Sequence, residues 1–176
     1  LGDEYEFFIL CLDRDHGEDE PYPDIKRDEW NKVGKANVWY VSPGGFSNKL
    51  ILTLAEGKDL IYLCSFYDDY GYKTLMLNRK RKIKCPVALA SMGVFAKAAL
   101  QQKTAKKMIF INICKITGLF NDITWSVSSE SEAKDVKRVI GSNIKYVVAE
   151  DLPRRNVPGK REKLESNGIL KIVFLS

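Results

Sequence analysis

Residues 37–77 read NVWYVSPGGFSNKLILTLAEGKDLIYLCSFYDDYGYKTLML. Four short runs of apolar or alternating residues occur here, at residues 37–42, 49–54, 59–66 and 72–77. They are separated by three groups of turn-forming residues, Pro43-Gly44-Gly45, Glu56-Gly57-Lys58 and Asp68-Asp69-Tyr70-Gly71. Short runs rich in β-branched and aromatic residues, bounded by such turns, are typical of strands joined in hairpins. The stretch therefore predicts an antiparallel meander.

The segments on either side add further strands and a few helices. The patterns predict strands at residues 5–12, 107–117, 122–128, 144–149 and 169–175, and helices at residues 24–33, 86–102 and 129–140. The last helix begins at Ser129 with a capping box and ends before Gly141. Because strands and helices segregate without a regular βαβ rhythm, we expect an α+β fold. Its sheet should be mostly antiparallel, with about eight or nine strands and about three helices.

Length and composition suit one globular domain over residues 1–176. The chain has 176 residues, of which 45% are hydrophobic and 29% charged, which is enough to bury a core. Within the domain we expect a solvated acidic loop at residues 13–23 and a flexible basic loop at residues 152–168. The longest apolar stretch, residues 86–100, is too short to cross a bilayer. Because the chain opens with Leu1, we expect it to be the ordered part of a longer protein.

The residue types that usually carry catalysis or bind metals are few and scattered. The four cysteines, Cys11, Cys64, Cys85 and Cys114, are too widely spaced for a zinc knuckle or a redox pair, so we expect buried thiols. His16 is the only histidine, and no nucleophile can be paired with it. The acids near it do not have the spacing of a calcium loop. The sequence predicts no enzyme, no metal site and no cofactor.

Charge is distributed unevenly along the chain. Residues 1–32 hold eleven acids and four bases, whereas residues 33–129 hold fourteen bases and five acids. Five of these bases form a basic cluster: Arg79, Lys80, Arg81, Lys82 and Lys84. A run of cations without acids attracts phosphate backbones and anionic lipid, so the basic cluster is our candidate polyanion-binding site. A solvated connection between two elements and a nuclear-import signal are the alternatives.

Two further groups of residues are candidates for contacts between copies or with a partner. The self-association residues are the acids Asp13, Asp15, Glu18, Asp19 and Glu20 and the bases Arg154 and Arg155, because opposite charges on two copies attract. Phe46 follows two glycines in a predicted hairpin turn. It either folds back on the sheet or forms an apolar tip that anchors the protein to a membrane or a partner.

Tyrosines just before the basic cluster suggest an alternative function. Tyr67, Tyr70 and Tyr72 lie seven to twelve residues before Arg79, the first cation of the cluster. Proteins that bind single-stranded nucleic acid stack bases on aromatic rings and neutralise the backbone with cations. The chain is therefore alternatively a single-stranded nucleic-acid-binding module of the suppressor or movement type, although core packing would also explain some of these rings.

The order of predicted elements resembles the globular domain of a rhabdovirus matrix protein, of the plant-infecting type by size. The resemblance rests on residues 5–10 as a first strand, a short helix at 22–30, strands at 38–41 and 50–54, a later hairpin over 112–127, a helix at 132–140 and a last strand at 169–175. It implies a non-enzymatic viral structural protein that self-assembles and bridges the nucleocapsid to the anionic inner membrane surface.

Partners and location follow from the same resemblance. The implied partners are other copies of the chain, the viral nucleoprotein or nucleocapsid, an anionic membrane surface and RNA. The implied location is the virion, between nucleocapsid and envelope, and in the host the cytoplasm or nucleus in membrane-associated form.

Overall fold

The computed structural model describes residues 4–101 and 104–150. Within them the chain forms seven strands and five helices, arranged in two separate sheets. In chain order these are β1 (Phe7–Leu12), β2 (Trp30–Val33), β3 (Ala36–Val41), α1 (Asn48–Ala55), β4 (Ile61–Leu63), α2 (Asp69–Arg79), β5 (Val87–Ala90), α3 (Lys97–Gln101), α4 (Thr104–Ile116), β6 (Thr124–Val127), α5 (Glu130–Ile140) and β7 (Tyr146–Val148).

The first sheet has three strands in the order β1-β3-β2. β1 runs parallel to β3, and β2 runs antiparallel to it through a tight turn at Gly34, whose φ is +57°. The predicted helix at residues 24–33 is wrong, because residues 24–29 form no helix and residues 30–33 are β2. The side chain of Asn31 explains this, since its amide bonds the backbone N–H of Lys26 at 2.8 Å and the carbonyl of Lys26 at 2.6 Å. Such bonds favour a turn over a helix.

The second sheet has four strands, β4-β5-β6-β7, which lie in sequence order and are all parallel. Its inner strand β5 is buried at all four residues. A strand covered on both faces is a continuous apolar run, and the sequence of β5, Val-Ala-Leu-Ala, is also typical of a helix. The prediction of a helix from Pro86 is therefore wrong over residues 87–90.

The predicted fold class must be corrected. The sheet is not mostly antiparallel, and the described residues form seven strands rather than eight or nine. Three predicted strands, at residues 49–54, 72–77 and 107–117, are the helices α1, α2 and α4. With helices in those places, successive strands of the second sheet are joined by crossovers, and crossovers between neighbouring strands give parallel pairs.

Local bonds and packing explain why these segments are helical. The hydroxyl of Ser47 accepts a hydrogen bond from the N–H of Leu50 at 3.1 Å and so caps α1. In α2 the buried residues include Gly71, Thr74 and Leu75, which are spaced as on one helical face. A Cβ at Gly71 would lie 2.2 Å from the carbonyl oxygen of Ser65, so only glycine allows this close approach.

The second half of the chain contains predictions that the structure confirms. β6 and β7 lie within the predicted strands, and α5 begins at the predicted capping box. The hydroxyl of Ser129 accepts a hydrogen bond from the N–H of Glu132 at 3.2 Å. Gly141 ends the helix with a φ of +138°, a value that favours glycine. The predicted basic loop at 152–168 and the strand at 169–175 lie outside the described residues.

The core is centred on aromatic rings between the second sheet and its helices. Phe66, Phe95 and Trp125 are each at most 1% exposed. The ring centre of Phe95 lies 5.8 Å from that of Phe66 and 5.4 Å from that of Trp125. Edge-to-face and offset contacts at these distances contribute stability beyond the area that they bury. This core holds the four parallel strands, and therefore the loops at their ends, in fixed positions.

Candidate polyanion-binding surface

Several basic residues lie at the end of the parallel sheet where its strands begin. Lys58 precedes β4, Lys84 precedes β5 and Lys145 immediately precedes β7. Helices that connect parallel strands run back to this same end, and Arg79 and Lys115 lie in the last turns of α2 and α4. Cations at helix C-termini are stabilised by the helix dipole. We call this set the basic end: Lys58, Arg79, Lys80, Arg81, Lys82, Lys84, Lys115 and Lys145.

Two hollows lie within the basic end. The smaller has a volume of about 310 Å³, and the cations that line it are Lys58, Lys82 and Lys84. The larger has a volume of about 900 Å³, and its lining combines Lys115, Lys145 and the carboxylate of Asp122 with amide and hydroxyl groups and several apolar side chains. The Nζ of Lys115 also donates a hydrogen bond to the carbonyl oxygen of Val139 at 2.6 Å. Both hollows combine ammonium groups with open space. Anionic groups could enter them without displacing protein atoms.

The C-terminus of α2 adjoins the loop between α4 and β6. The Nε of Arg79 lies 2.9 Å from the place that a Cβ on Gly118 would occupy. The Nδ2 of Asn78 donates a hydrogen bond to the carbonyl oxygen of Asp122 at 3.3 Å. Asp122 also lines the larger hollow. The basic cluster and the larger hollow are therefore neighbouring parts of one surface.

The cations of the basic end have few acids to neutralise them. Among the described residues, no ion pair involves any of the eight; the ion pairs seen there include Arg14–Asp13, Arg27–Asp13, Lys73–Asp69 and Arg138–Asp135. In the sequence, no acid occurs between Asp69 and Asp122, whereas eleven bases do. Unpaired cations close together raise the local potential and attract polyanions.

The five residues of the basic cluster are all exposed. The structure brings them together with Lys58, Lys115 and Lys145, which the sequence analysis did not single out. Each of these three lysines stands just before a strand or in the last turn of a helix. Sequence could have shown this only if the strands had been recognised as parallel, because that arrangement places those positions at one end.

The acidic loop contains one buried carboxylate and several exposed ones. Asp15, Glu18, Asp19 and Glu20 are exposed. The Oδ1 of Asp15 accepts a hydrogen bond from the hydroxyl of Tyr22 at 2.6 Å. Asp13 is fully buried, and its side chain is used within the chain. Among the described residues, no ion pair joins this loop to the basic end. Arg154 and Arg155, the other predicted self-association residues, lie outside the described ranges.

Asp13 fixes the junction between β1 and the acidic loop. Its Oδ1 accepts a hydrogen bond from the Nε of Arg14 at 2.8 Å, and its Oδ2 accepts one from the hydroxyl of Ser42 at 3.2 Å. Its N–H donates to the carbonyl of Val41 at 3.0 Å. The bond from Arg14 is the main reason why the pKa of Asp13 is lowered, despite the opposing effect of burial.

Phe46 is buried rather than exposed at the tip of a turn. Its side chain is 3% exposed, and its ring centre lies 5.1 Å from that of Tyr70. Its carbonyl oxygen accepts a hydrogen bond from the Nζ of Lys73 at 2.7 Å. Phe46 thus joins the loop before α1 to α2, and in this conformation its ring cannot reach a membrane or a partner.

The three tyrosines before the basic cluster pack against other rings of the chain. Tyr70 lies on Phe46, and Tyr67 stacks on Phe66 with ring centres 4.3 Å apart. Tyr72 lies 5.9 Å from Phe110. The contacts of Tyr67 and Tyr72 belong to the side of the core formed by α2 and α4. These three rings therefore do not form an open stacking platform.

A different aromatic cluster lies beside the basic end. The ring of Trp30 packs edge-on against Phe8 and against Trp39, with ring centres 5.3 Å apart in both pairs. Phe8 and Trp30 are each 37% exposed. The Nζ of Lys58 lies 4.0 Å from the centre of the Phe8 ring. Lys58 therefore belongs both to this aromatic cluster and to the smaller hollow.

Polar side chains at the opposite end of the second sheet are satisfied by the protein itself. The carboxylate of Glu132 accepts hydrogen bonds from the N–H of Gly93 at 2.5 Å and from the N–H of Ser128 at 2.7 Å. Partial burial would raise its pKa, but these bonds and that from the hydroxyl of Ser91 outweigh burial and lower it. A carboxylate held in this way stabilises the fold and is a poor general base.

The remaining side chains that could take part in catalysis or bind a metal are isolated or unreactive. Burial raises the pKa of the Cys114 thiol to about 11, so the reactive thiolate is rare at neutral pH. His16 lies in the exposed acidic loop. In residues 4–101 and 104–150, no three His, Cys, Asp or Glu side chains are grouped so that they could hold a metal ion. None of the helices in those ranges is long and apolar enough to cross a membrane.

Comparison with known proteins returns no relative. No family model matches the chain, no curated protein matches it, and no solved structure matches it.

Proposed function

We propose that this chain is a non-enzymatic structural protein that holds assemblies of itself on a polyanionic surface, as a viral matrix layer does between a nucleocapsid and the inner face of a membrane. The observation that carries the proposal is the basic end. Eight cations from four separate segments meet there, and among the described residues none is paired with a carboxylate. The element order used for the resemblance differs from the order found, so the support comes from surface chemistry.

The affinity that a single copy can reach for an anionic membrane shows why assembly matters. A lysine or arginine close to an anionic membrane contributes about 1 kcal/mol. Eight would contribute at most about 8 kcal/mol, which corresponds to a Kd of about 1 µM. Several copies that bind together would hold much more tightly than one, because each further contact is intramolecular.

Strand edges support association between copies. Within the described residues, β1 and β7 are outer strands of their sheets. Phe7 and Ile9 on β1 and Val147 and Val148 on β7 are each at least 40% exposed. Exposed apolar edges are ready to pair with another chain. Pairing of β1 with β7 of the next copy would be head-to-tail and would extend into an open array.

The acidic loop offers a second route between copies, but it competes with the proposed function. Docking Asp15, Glu18, Asp19 and Glu20 on the basic end of a neighbour would cover the cations that bind the polyanion. Strand pairing leaves these cations free. For this reason we favour the strand edges as the contact within the layer and assign the acidic loop to partner selection.

A charge-reversal variant tests the proposal. In the variant Lys80→Glu/Lys82→Glu/Lys84→Glu, three exposed cations of the basic end are reversed. We expect its binding to phosphatidylserine vesicles to weaken about a hundredfold or more, since three contacts of about 1 kcal/mol each are lost. The matched control is Lys26→Glu/Lys32→Glu/Lys49→Glu, which makes the same charge change on exposed lysines outside the basic end. Equal losses in both variants would show that only net charge matters and would refute the proposed site.

A second candidate function is binding of single-stranded nucleic acid. The specific observation in its favour is the aromatic cluster of Phe8, Trp30 and Trp39 beside Lys58, because rings next to cations are what such proteins use. Titration with a single-stranded RNA oligonucleotide separates the two functions. Saturation at one protein per short site, lost in Trp30→Ala, would favour this candidate over the matrix role.

A further inference from the structure

Helix α4 presents an apolar stripe to the outside of the molecule. Ile109, Ile113 and Ile116 are 61%, 47% and 86% exposed. Their spacing of four and then three residues places them on one side of the helix. The opposite side is occupied by Ile111 and Cys114, which are fully buried in the core. α4 therefore has two apolar faces, and only one of them is covered within the described residues.

The surroundings of this stripe are basic. Lys106 stands three residues before Ile109, and so lies next to it on the helix surface. Lys115 precedes Ile116 directly and lines the larger hollow of the basic end. No acid occurs anywhere in α4. The stripe thus runs into the basic end, and whatever covers it must present apolar material next to negative charge.

The chemistry of the stripe favours lipid over a protein groove. All three side chains are aliphatic, whereas the anchors of protein interfaces are mostly Trp, Tyr and Arg. The stripe covers eight residues of helix, and its two ends lie about 10 Å apart along the axis, which is too short to cross a bilayer and suitable for lying in its surface. An apolar helical stripe bordered by lysines is typical of helices that bind anionic membrane surfaces.

We propose that α4 lies in the interface of an anionic bilayer, with Ile109, Ile113 and Ile116 among the acyl chains and the lysines of α4 and the basic end on the headgroups. This inference rests on the proposed function, since it names a membrane as the polyanionic surface and adds an apolar anchor to it. It assigns to α4 the anchoring role that the sequence analysis gave to Phe46.

The test compares vesicles with a soluble polyanion. Each isoleucine changed to serine removes apolar contact with lipid and should weaken binding to phosphatidylserine vesicles about tenfold. The triple variant Ile109→Ser/Ile113→Ser/Ile116→Ser should therefore lose vesicle binding while it keeps its affinity for heparin, which has negative charge and no apolar phase. Val33→Ser/Met92→Ser is the control, because it changes two exposed apolar side chains that belong neither to the stripe nor to the strand edges proposed for association.

Variants at the single position Ile116 separate the loss of lipid contact from any loss of folding. This side chain is 86% exposed, so Ile116→Ser should unfold like the unchanged protein. Ile116→Leu should retain vesicle binding, because leucine is equally apolar. Undiminished vesicle binding by Ile116→Ser and by the triple variant would overturn the proposal. A change in sedimentation of Ile116→Ser without vesicles would overturn it too, by assigning the stripe to contacts between copies.

The basic-end variant separates this inference from the proposed function. If Lys80→Glu/Lys82→Glu/Lys84→Glu loses binding to vesicles and to heparin while the isoleucine variants lose neither, the polyanion surface is right and the anchor is wrong. If the charge variant binds both ligands as before, the proposed function is wrong, and the anchor proposal is wrong with it.

Discussion

The Nζ of Lys58 lies 4.0 Å from the centre of the Phe8 ring. Phe8 belongs to β1 of the three-stranded sheet, whereas Lys58 precedes β4 of the parallel sheet. This cation–π contact joins the two sheets where the aromatic cluster adjoins the basic end. An ammonium group over a ring is attracted by the ring quadrupole, by about 0.5–1 kcal/mol at a partly exposed site.

A double-mutant cycle measures this contact. We expect Lys58→Met and Phe8→Leu each to lower the free energy of unfolding, and the double variant to lower it by about 0.5 kcal/mol less than the sum of the two. Urea unfolding of the four proteins provides the values. Lys49→Met with Phe8→Leu is the control pair, and it should show no coupling. Strict additivity for Lys58 and Phe8 would show that the contact contributes nothing.

Gly71→Ala tests the close approach of α2 to the loop that precedes it. The new methyl group would lie 2.2 Å from the carbonyl oxygen of Ser65, so backbone must move. We expect a loss of about 3 kcal/mol in the free energy of unfolding. Gly57→Ala is the comparison, because Gly57 has a φ of +68° and open space around it, and only backbone strain of about 1 kcal/mol applies. Equal losses at both positions would contradict the packing described for α2.

Glu132 gives the stability of the protein a dependence on pH. Its folded pKa is lowered from the ordinary 4.5, so its contribution is complete above pH 4.5 and disappears as the pH falls through the folded value. The free energy of unfolding, measured with urea at about pH 7 and at about pH 3.5, should differ less between the two pH values for Glu132→Gln than for the unchanged protein. Glu18→Gln, in the exposed acidic loop, is the control. An unaltered pH dependence in Glu132→Gln would contradict this role.

Sequence predicted the elements whose signals are local. The capping box at Ser129 and Glu132, with Gly141 after the helix, defines α5 without help from the rest of the fold. β1, β3 and β6 were recognised because β-branched and aromatic residues dominate them. The turn at Gly34 was also expected, although as the end of a helix rather than of a strand.

Segments whose apolar residues suit both periodicities could not be assigned. Residues 49–54 and 107–117 alternate like strands, yet Ser47 caps the first as α1 and the core covers Ile111 and Cys114 of the second at helical spacing. Those two errors, with the one at α2, led to the prediction of a mostly antiparallel sheet, whereas β4, β5, β6 and β7 are parallel. They also concealed the basic end, because only parallel strands bring Lys58, Lys84 and Lys145 together.

The charge of the basic cluster itself could be read from the sequence, but the exposure of single aromatic residues could not. Phe46 follows Gly44 and Gly45, a pattern typical of an exposed turn, and yet its ring packs on Tyr70. The isoleucines of α4 look like core residues in the sequence, and three of them are exposed. Which apolar side chains a core has room for depends on how the elements pack, and that is a property of the whole fold.

Association between copies should depend on strand edges. Lysine at Ile9 would place a charge on the exposed edge of β1, which is the device that natural sheets use against edge pairing. We expect Ile9→Lys to sediment as a smaller species than the unchanged protein at the same concentration, with its unfolding curve nearly unaltered, since Ile9 is 45% exposed. Ile109→Lys is the control, and it should leave self-association as it is. If Ile9→Lys assembles like the unchanged protein, β1 is not the contact.

The central claim is that unpaired cations at one end of the parallel sheet bind polyanionic surfaces. Its most direct test is co-sedimentation of the protein with phosphatidylserine vesicles as ionic strength rises from about 0.05 M to about 0.5 M, where the screening length falls to a few Å. We predict that the bound fraction falls steeply with salt and that phosphatidylcholine vesicles bind little protein at any salt. Binding that is equal on both lipids and unchanged by salt would contradict the claim.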